Sequence, residues 1–249
     1  MHIDLNGRVA CVTGAGVGLG KAYAKALAAS GATVYVNDYN AEAVQATVKE
    51  IEAEGGKAVA APGDVSSDGF FDKLVETAVA AHGSFDIIVN NAGVSQPAML
   101  WKMTDEQWDA VIKINQTAAF RAIRAAARQM QKQNYGRIIN VTSAAGIDGS
   151  IGQINYAATK GAIMAMTRSA ARELGRYNIT VNAIAPVAAT PMTTKIREDE
   201  KLRDITLNRL TIKRFAEPGE VANAVVFLAS DQASYTTGHI MLVDGGMSM

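Results

Sequence analysis

The sequence predicts one α/β domain, a doubly wound parallel sheet of about seven strands with helices on both faces. Short apolar runs typical of buried strands alternate along the chain with longer amphipathic stretches typical of helices. This alternation indicates βαβ crossovers, which join parallel strands and cover both faces of the sheet with helices. No Pro- or Ser-rich linker divides the 249 residues, so we expect a single domain over 1–249.

Each element has its own local signals. The strands are short β-branched or apolar runs, and glycines such as Gly31 and Gly55 end the first two helices. Strands are predicted at Val9–Val12, Thr33–Val36, Ala58–Ala61, Phe85–Val89, Arg137–Val141, Thr180–Ile184 and Ile240–Val243. Helices are predicted at Lys21–Ala29, Ala41–Glu54, Phe70–Ala81, Glu106–Met130, Ala157–Leu174 and Val221–Leu228. The polar stretch 188–211 follows the sixth strand and is predicted to form a substrate lid.

Composition excludes several classes of function. Lys plus Arg and Asp plus Glu balance at 24 each, so no net charge attracts nucleic acid or an anionic membrane. No run approaches membrane-spanning length and the N-terminus lacks an apolar leader segment, which predicts a cytoplasmic protein. The histidines His2, His82 and His239 lack ligand spacing, so no metal is expected. The single Cys11 lies in an apolar run and is predicted to be a buried, unreactive thiol.

A glycine-rich turn directly follows the first strand. It reads Thr13-Gly-Ala-Gly-Val-Gly-Leu-Gly20, and its glycines permit a tight turn and close approach of the backbone to a pyrophosphate. The helix that follows directs its N-terminal amides at such a phosphate. A strand before and a helix after make this a predicted Rossmann-like dinucleotide site. The residues expected to contact the cofactor here are Gly14, Val17, Gly18, Leu19 and Gly20.

An acidic residue at the end of the second strand predicts NAD rather than NADP. Asp38 lies 18 residues beyond Gly20, where a carboxylate accepts the ribose hydroxyls and repels a 2′-phosphate. The alternative is that Asp38 is only the N-cap of the helix that begins at Ala41.

Further cofactor contacts are predicted where the third and fourth strands end, because ligands of parallel sheets bind outside the carboxyl ends of the strands. They are Asp64 and Val65 on one segment and Asn91, Ala92 and Gly93 on the other. A turn role for Asp64 and a backbone-bracing role for Asn91 are the alternatives.

Tyr156 is the predicted proton-transfer group, with Lys160 four residues later on the same helix face. A free phenol has a pKa of about 10. A nearby ammonium lowers that pKa towards the working pH, as general acid–base catalysis requires. Ser143 ends the fifth strand and can reach the same reacting oxygen. Asn115 lies inside a predicted helix, where Asn is unfavourable, which indicates either a functional residue or a buried bracing amide.

In order and spacing, these motifs together resemble the short-chain dehydrogenase/reductase family across essentially the whole chain. The motifs are Thr13-Gly-x-x-x-Gly18-x-Gly20, Asn90-Asn-Ala-Gly93, Asn115, Ser143 and Tyr156-x-x-x-Lys160. The resemblance implies a seven-stranded sheet, a homotetramer, and hydride transfer between a nicotinamide and a secondary alcohol or ketone. It also implies four catalytic roles. Tyr156 is the acid/base, Lys160 lowers its pKa and holds the nicotinamide ribose, Ser143 orients the substrate oxygen, and Asn115 anchors a water. A cofactor-binding scaffold without chemistry is the alternative, and the presence of Ser143, Tyr156 and Lys160 argues against it.

Two subgroups of the family are most similar. Residues 98–108 and 214–247 resemble 3-oxoacyl reductases of fatty-acid synthesis. Residues 13–38 and 185–193 resemble the (3R)-hydroxyacyl-CoA dehydrogenase unit of the peroxisomal multifunctional enzyme. The acyl-carrier reductases usually prefer NADP and carry basic residues in the glycine loop, and this loop has none.

The chain departs from the family pattern after the sixth strand, where Pro186 is followed by Val187 instead of Gly. Thr190 is then the candidate for the carboxamide contact, with Pro186 and Val187 beside the nicotinamide. The predicted pocket segments 94–101, 144–155 and 188–211 are mostly small or apolar, which favours a hydrophobic alcohol or ketone, such as an acyl thioester. An aromatic, alicyclic or steroid secondary alcohol is the alternative.

Overall fold

The predicted sheet is confirmed by a computed structural model, which describes residues 3–248. Seven strands form one sheet in the order β3-β2-β1-β4-β5-β6-β7. The strands are β1 (Val9–Val12), β2 (Thr33–Val36), β3 (Lys57–Ala60), β4 (Ile87–Asn90), β5 (Gly136–Val141), β6 (Ile179–Pro186) and β7 (Ile240–Val243). The six pairings between neighbouring strands are all parallel.

The helices lie between the strands, as the crossovers of a parallel sheet require. They are α1 (Gly18–Ala29), α2 (Ala41–Ala53), α3 (Phe70–His82), α4 (Asp105–Val111), α5 (Ala118–Gln133), α6 (Ala145–Asp148), α7 (Ile154–Leu174), α8 (Thr194–Glu198), α9 (Glu200–Arg209) and α10 (Pro218–Ala229). The helix starts are set locally. For example, Thr104 and Gln107 form a capping box at the start of α4.

Two apolar cores lie on opposite faces of the sheet. Residues of α1, α2 and α10 pack on one face, and residues of α3, α5 and α7 pack on the other. All four residues of β1 are buried, as expected for the continuous apolar run of a central parallel strand. A series of buried alanines lets α5 approach the sheet closely. The strand order reverses between β1 and β4, so the ligand crevice of a doubly wound sheet opens at their carboxyl ends.

The predicted continuous helix over 106–130 is wrong at one point. Between α4 and α5 the chain forms a π-helical segment, Ile112–Thr117, which contains Asn115. A π segment inserts an extra residue into the helical repeat and occurs frequently at functional sites. The unfavourable Asn115 therefore lies where the α-helix itself is interrupted.

The predicted lid stretch 188–211 is largely helical and contains α8 and α9. Asp199 caps α9 by accepting a hydrogen bond from the amide of Leu202 at 3.0 Å. None of the residues of α9 is buried, so the sequence carries no apolar periodicity that would have indicated this helix. Arg209 of α9 pairs with Asp148 of α6 at 2.9 Å, which joins the two sides of the crevice.

Across residues 3–248, no helix is both long and apolar enough to cross a bilayer. The same residues contain no group of three His, Cys, Asp or Glu side chains that could hold a metal ion. His82 packs edge-on against Tyr35, whereas His2 lies outside the described residues. Cys11 is fully buried as predicted, and burial raises the pKa of its thiol to about 12.

Candidate active site

The glycine loop packs so tightly against the end of β4 that side chains would not fit. Gly14 has a φ of 63°, and a Cβ there would lie 2.9 Å from the Cα of Ala92. A Cβ on Gly20 would collide with the carbonyl of Gly14 and the side-chain amide of Asn91. Val17 lies at the N-cap of α1, and Gly18 and Leu19 form its first turn, where amides lack intrahelical acceptors. The loop therefore offers the exposed backbone that a pyrophosphate requires.

Asn91 has the bracing role that was its alternative. Its side-chain Nδ2 donates to the carbonyls of Thr13 at 2.9 Å and Gly14 at 3.2 Å. The hydroxyl of Thr13 in turn accepts from the backbone amides of Asn91 and Ala92, both at 3.0 Å. Gly93 lies against Asn115, since a Cβ on it would be 3.2 Å from Asn115 Oδ1. This network fixes the glycine loop to the end of β4.

Asp38 lies beside the glycine loop and is not a helix cap. One carboxylate oxygen accepts from the amide of Gly16 at 3.1 Å, and the other accepts from the amide of Asn40 at 3.1 Å. The N-cap of α2 is Asn40, whose side chain accepts from Ala43 at 3.1 Å, so the capping alternative for Asp38 is wrong. Asp38 is 8% exposed, and its contact with a cofactor ribose stays a prediction.

Asp64 forms a turn after β3, as its alternative stated. Its Oδ1 accepts from the amide of Ser66 at 2.8 Å, and its Oδ2 accepts from the hydroxyl of Ser66 at 2.9 Å. Asp64 is exposed, and Val65 beside it is buried. Contact of either residue with a cofactor stays a prediction.

The structure brings Ser143 and Tyr156 together. Ser143 follows β5 and Tyr156 lies in the first turn of α7. The hydroxyl of Ser143 lies near enough to the phenol of Tyr156 to lower its pKa. The Oγ of Ser143 also accepts from the amide of Ala145 at 3.2 Å, which holds the hydroxyl at the end of the strand. The two hydroxyls thus lie near each other where β5 ends and α7 begins.

Lys160 is buried one turn further along α7. Its Nζ donates to the carbonyl of Val141 at 2.7 Å and lies 5.4 Å from the centroid of the Tyr156 ring. Burial lowers the pKa of Lys160 to about 8, because the charged ammonium loses its hydration.

The pKa of Tyr156 differs from the expectation that Lys160 lowers it. Burial raises the pKa of the phenol, and the nearby hydroxyl of Ser143 lowers it in part. The ammonium of Lys160 is held at the Val141 carbonyl, and its own protonation is disfavoured by burial. In the ligand-free protein, Tyr156 therefore stays a protonated phenol at neutral pH.

Asn115 braces the loop that follows β4. Its Oδ1 accepts from the amide of Val94 at 2.8 Å, while its Nδ2 donates to the Val94 carbonyl at 3.0 Å and to the hydroxyl of Thr159 at 3.3 Å. The side-chain amide is therefore engaged by protein groups, as the bracing alternative stated. A role in anchoring a water stays a prediction.

The segment after β6 lies over the glycine loop. Pro186 ends β6, and the amide of Val187 donates to the carbonyl of Val243 at 3.1 Å, so this amide is engaged within the protein. Thr190 is buried, and a Cβ on Gly18 would lie 3.7 Å from Thr190 Cβ. This places Thr190, the predicted carboxamide contact, next to the dinucleotide loop.

Sequence reasoning missed Asn155, which precedes Tyr156. It is fully buried, and its Nδ2 donates to the carbonyls of Gln96 at 3.0 Å and Gln107 at 3.2 Å. Its Oδ1 accepts from the amide of Tyr156 at 2.7 Å. No sequence signal indicated this role, because the predicted helix began at Ala157, two residues after Asn155.

A cleft of about 290 Å³ opens beside the start of α7. It is lined by Ala98, Leu100, Gly149, Ser150, Gly152, Ile154 and Ala157. This lining has no charged side chain, so the cleft suits an apolar ligand.

Comparison with known proteins agrees with this geometry. A family profile described as enoyl-(acyl carrier protein) reductase matches residues 14–248. The chain is 42% identical to the 3-oxoacyl-(acyl-carrier-protein) reductase FabG of Thermotoga maritima, over 98% of each chain. It is 43% identical to the 3-oxoacyl-(acyl-carrier-protein) reductase of Synechocystis, again over 98% of each chain.

Two solved structures are closely similar. One, from Sinorhizobium meliloti and assigned as a short-chain alcohol dehydrogenase, has a TM-score of 0.95 and 36% identity, with 99% of this chain and 98% of that one covered. The other, from Agrobacterium tumefaciens and assigned as a gluconate dehydrogenase, has a TM-score of 0.96 and 34% identity, with 100% and 98% covered. The chain therefore belongs to the short-chain dehydrogenase/reductase family, whose members are nicotinamide-dependent oxidoreductases.

Proposed function

We propose that this protein is an NAD(H)-dependent oxidoreductase that interconverts a 3-oxoacyl thioester and the (3R)-3-hydroxyacyl thioester. The observation that carries the proposal is the grouping of Tyr156, the nearby hydroxyl of Ser143 and the buried Lys160, whose Nζ lies 5.4 Å from the Tyr156 ring centroid. An uncharged cleft lies alongside. The relatives from Thermotoga maritima and Synechocystis, both named for a 3-oxoacyl substrate, support the choice of substrate class.

The glycine loop fits a dinucleotide because positions where a Cβ would collide with neighbouring backbone are occupied by glycine. The residues that would hold the cofactor are Gly14, Val17, Gly18, Leu19, Gly20, Asp38, Asp64, Val65, Asn91, Ala92, Gly93, Tyr156, Lys160, Pro186, Val187 and Thr190. When bound, the nicotinamide supplies the hydride chemistry that the side chains lack.

The side chains supply the proton and the orientation. Tyr156 is a protonated phenol at neutral pH in the ligand-free protein, so it is ready to donate a proton to a ketone oxygen. In the oxidative direction the phenol of Tyr156 first loses its proton, and the resulting phenolate oxygen takes the proton of the alcohol. Ser143 holds the substrate oxygen beside Tyr156. Lys160 favours the phenolate once its ammonium leaves the Val141 carbonyl and approaches the ring.

The NAD preference rests on Asp38. Its carboxylate is bound to the amide of Gly16 at the rim of the glycine loop, and none of the ion pairs among residues 3–248 includes it. A carboxylate without a cationic partner at this point accepts hydrogen bonds from the ribose hydroxyls and repels a 2′-phosphate.

The test is a steady-state comparison of NADH with NADPH on a panel of substrates. The panel contains acetoacetyl-CoA, longer 3-oxoacyl-CoAs, and aromatic, alicyclic and steroid ketones that would fit the same apolar lining. We expect the highest kcat/KM with NADH and a 3-oxoacyl thioester. A preference for a ring ketone would replace the thioester proposal, and a preference for NADPH would overturn the role of Asp38.

We further propose a homotetramer in the cytoplasm. Trp108 of α4 and Phe120 of α5 are large apolar side chains that lie exposed on neighbouring segments, and burial against another copy would remove them from water. Light scattering coupled to gel filtration tests the tetramer, and a monomer at micromolar concentration contradicts it. Cell fractionation tests the location.

A further inference from the structure

We propose that Asn155 is a positioning residue that couples the substrate cleft to the proton-transfer group Tyr156. This inference rests on the proposed function, because it assigns a consequence to the placement of Tyr156. The predicted pocket segment 144–155 ends at Asn155, but none of the catalytic or cofactor motifs includes this residue, and it is not among the residues that line the cleft.

The side chain of Asn155 makes three hydrogen bonds to three different segments. It donates to the carbonyl of Gln96 in the loop after β4 and to the carbonyl of Gln107 in α4. It accepts from the backbone amide of Tyr156 itself, at 2.7 Å. An Asn side chain has two amide hydrogens and one carbonyl oxygen, so each hydrogen and the oxygen has a protein partner. Since the residue is fully buried, water does not substitute for these partners.

Two neighbouring hydrogen bonds reinforce the link between the loop and the helix entry. The amide of Ala98 donates to the carbonyl of Gly152 at 2.9 Å. The side chain of Gln153 donates to the hydroxyl of Ser95 at 3.1 Å. Ala98 and Gly152 both line the uncharged cleft, so the same contacts shape the cleft and fix the start of α7.

The consequence is that substrate binding and proton transfer share one support. Because Asn155 bonds both the carbonyl of Gln96 and the amide of Tyr156, a shift of the 95–98 loop would displace Asn155 and with it the backbone of Tyr156. The phenol of Tyr156 then moves relative to the hydroxyl of Ser143, which lowers its pKa. Loss of Asn155 is therefore expected to change the pH dependence of turnover as well as its rate.

Three substitutions separate the parts of this role. Asn155→Asp keeps the shape and the acceptor for the Tyr156 amide but removes both donors and adds a buried negative charge one residue before Tyr156. Asn155→Ser keeps an acceptor near the helix start but is too short to bridge to Gln96 and Gln107. Asn155→Ala removes every bond. We expect kcat to fall by about tenfold or more in all three, as when a catalytic group is misplaced. We also expect the pH limit set by Tyr156 to move to higher pH, furthest in Asn155→Asp.

The matched control is Asn182→Ala. Asn182 is a buried asparagine that likewise bridges main-chain groups, the carbonyl of Thr236 and the amide of His239, but it lies on β6 away from Tyr156. It should lower the melting temperature and leave kcat and the pH profile unchanged. If Asn155→Ala does not fold, the Asn155→Asp and Asn155→Ser variants test the positioning role instead. NADH binding, measured by fluorescence, shows whether their cofactor site is intact.

The outcomes separate this inference from the proposed function. If Tyr156→Phe is inactive while the Asn155 variants keep the wild-type kcat and pH profile, the positioning role is overturned and the proposed function stands. If Tyr156→Phe retains full turnover, the proposed function itself has failed. A pH profile that moves in the Asn155 variants but not in Asn182→Ala supports the inference.

Discussion

The buried ammonium of Lys160 gives the protein a stability signature that depends on pH. Burial lowers the pKa of Lys160 from its ordinary 10.5 to about 8. Between these two values the unfolded chain binds more protons than the folded one, so the free energy of unfolding rises with pH. At about 1.4 kcal/mol per pH unit, the gain amounts to about 3 kcal/mol between about pH 8 and 10.5. Below pH 8 the full penalty of the buried charge applies.

Lys160→Met tests this value in a Tyr156→Phe background, where no phenol at position 156 titrates beside it. Methionine has a similar length and no charge, so the pH-dependent penalty disappears. The carbonyl of Val141 loses its donor, which costs about 1–3 kcal/mol at every pH. The decisive quantity is therefore the change with pH in the stability difference between the two proteins, expected to be about 3 kcal/mol.

Urea denaturation followed by circular dichroism from pH 7 to 10.5 measures this difference. Protein concentration is held fixed, because association of subunits adds to apparent stability. Other lysines and tyrosines titrate in both proteins and cancel. Stabilities that run parallel over the whole pH range would show that Lys160 has an ordinary pKa and refute the reasoning.

Three further predictions concern the site. Tyr156→Phe should lower turnover by about 100-fold or more and leave NADH binding, measured by fluorescence titration, essentially unchanged; substantial residual turnover contradicts the acid/base role. Asp38→Ser removes the charge that repels a 2′-phosphate, so the ratio of kcat/KM for NADP to that for NAD should rise by about tenfold or more, and an unchanged ratio argues against Asp38 as the selecting residue. Gly20→Ala places a methyl group against the Gly14 carbonyl and the Asn91 amide, so cofactor affinity and melting temperature should both fall, whereas Gly55→Ala, where a Cβ meets open space, should retain cofactor affinity.

The sheet was predictable because its signals are local and repeated. Central strands such as β1 and β2 are continuous apolar runs, and the observed bounds of both agree with the predicted ones. The glycine loop was predictable because close approach excludes side chains, which leaves a direct trace in the sequence. Ser143 and Tyr156 were expected to lie together because Ser143 follows the fifth strand only 13 residues before Tyr156, so a loop can bring both hydroxyls to the same reacting oxygen.

What the sequence did not reveal depends on contacts between distant segments. The π segment around Asn115 was missed because a π turn and an α-helix share the same apolar spacing over so short a stretch. Asn155 was missed because its partners are main-chain carbonyls of Gln96 and Gln107, and main-chain groups carry no sequence signal. The helix α9 was missed because it buries no residue.

Two buried titratable side chains that lower the stability of the folded protein, Tyr156 and Lys160, also favour an enzyme over a scaffold that only binds the cofactor. The ammonium of Lys160 and the phenol of Tyr156 are both held in environments that oppose their charged forms. A scaffold would gain stability from an apolar side chain at position 160, because no charge would then need to be buried. Proton transfer, in contrast, requires a titratable pair at this point, and a bound ribose and substrate oxygen would give the ammonium and the phenol further polar partners. The stabilisation of the protein by NADH should therefore be larger in the wild type than in Lys160→Met, a comparison that melting curves at saturating NADH make directly.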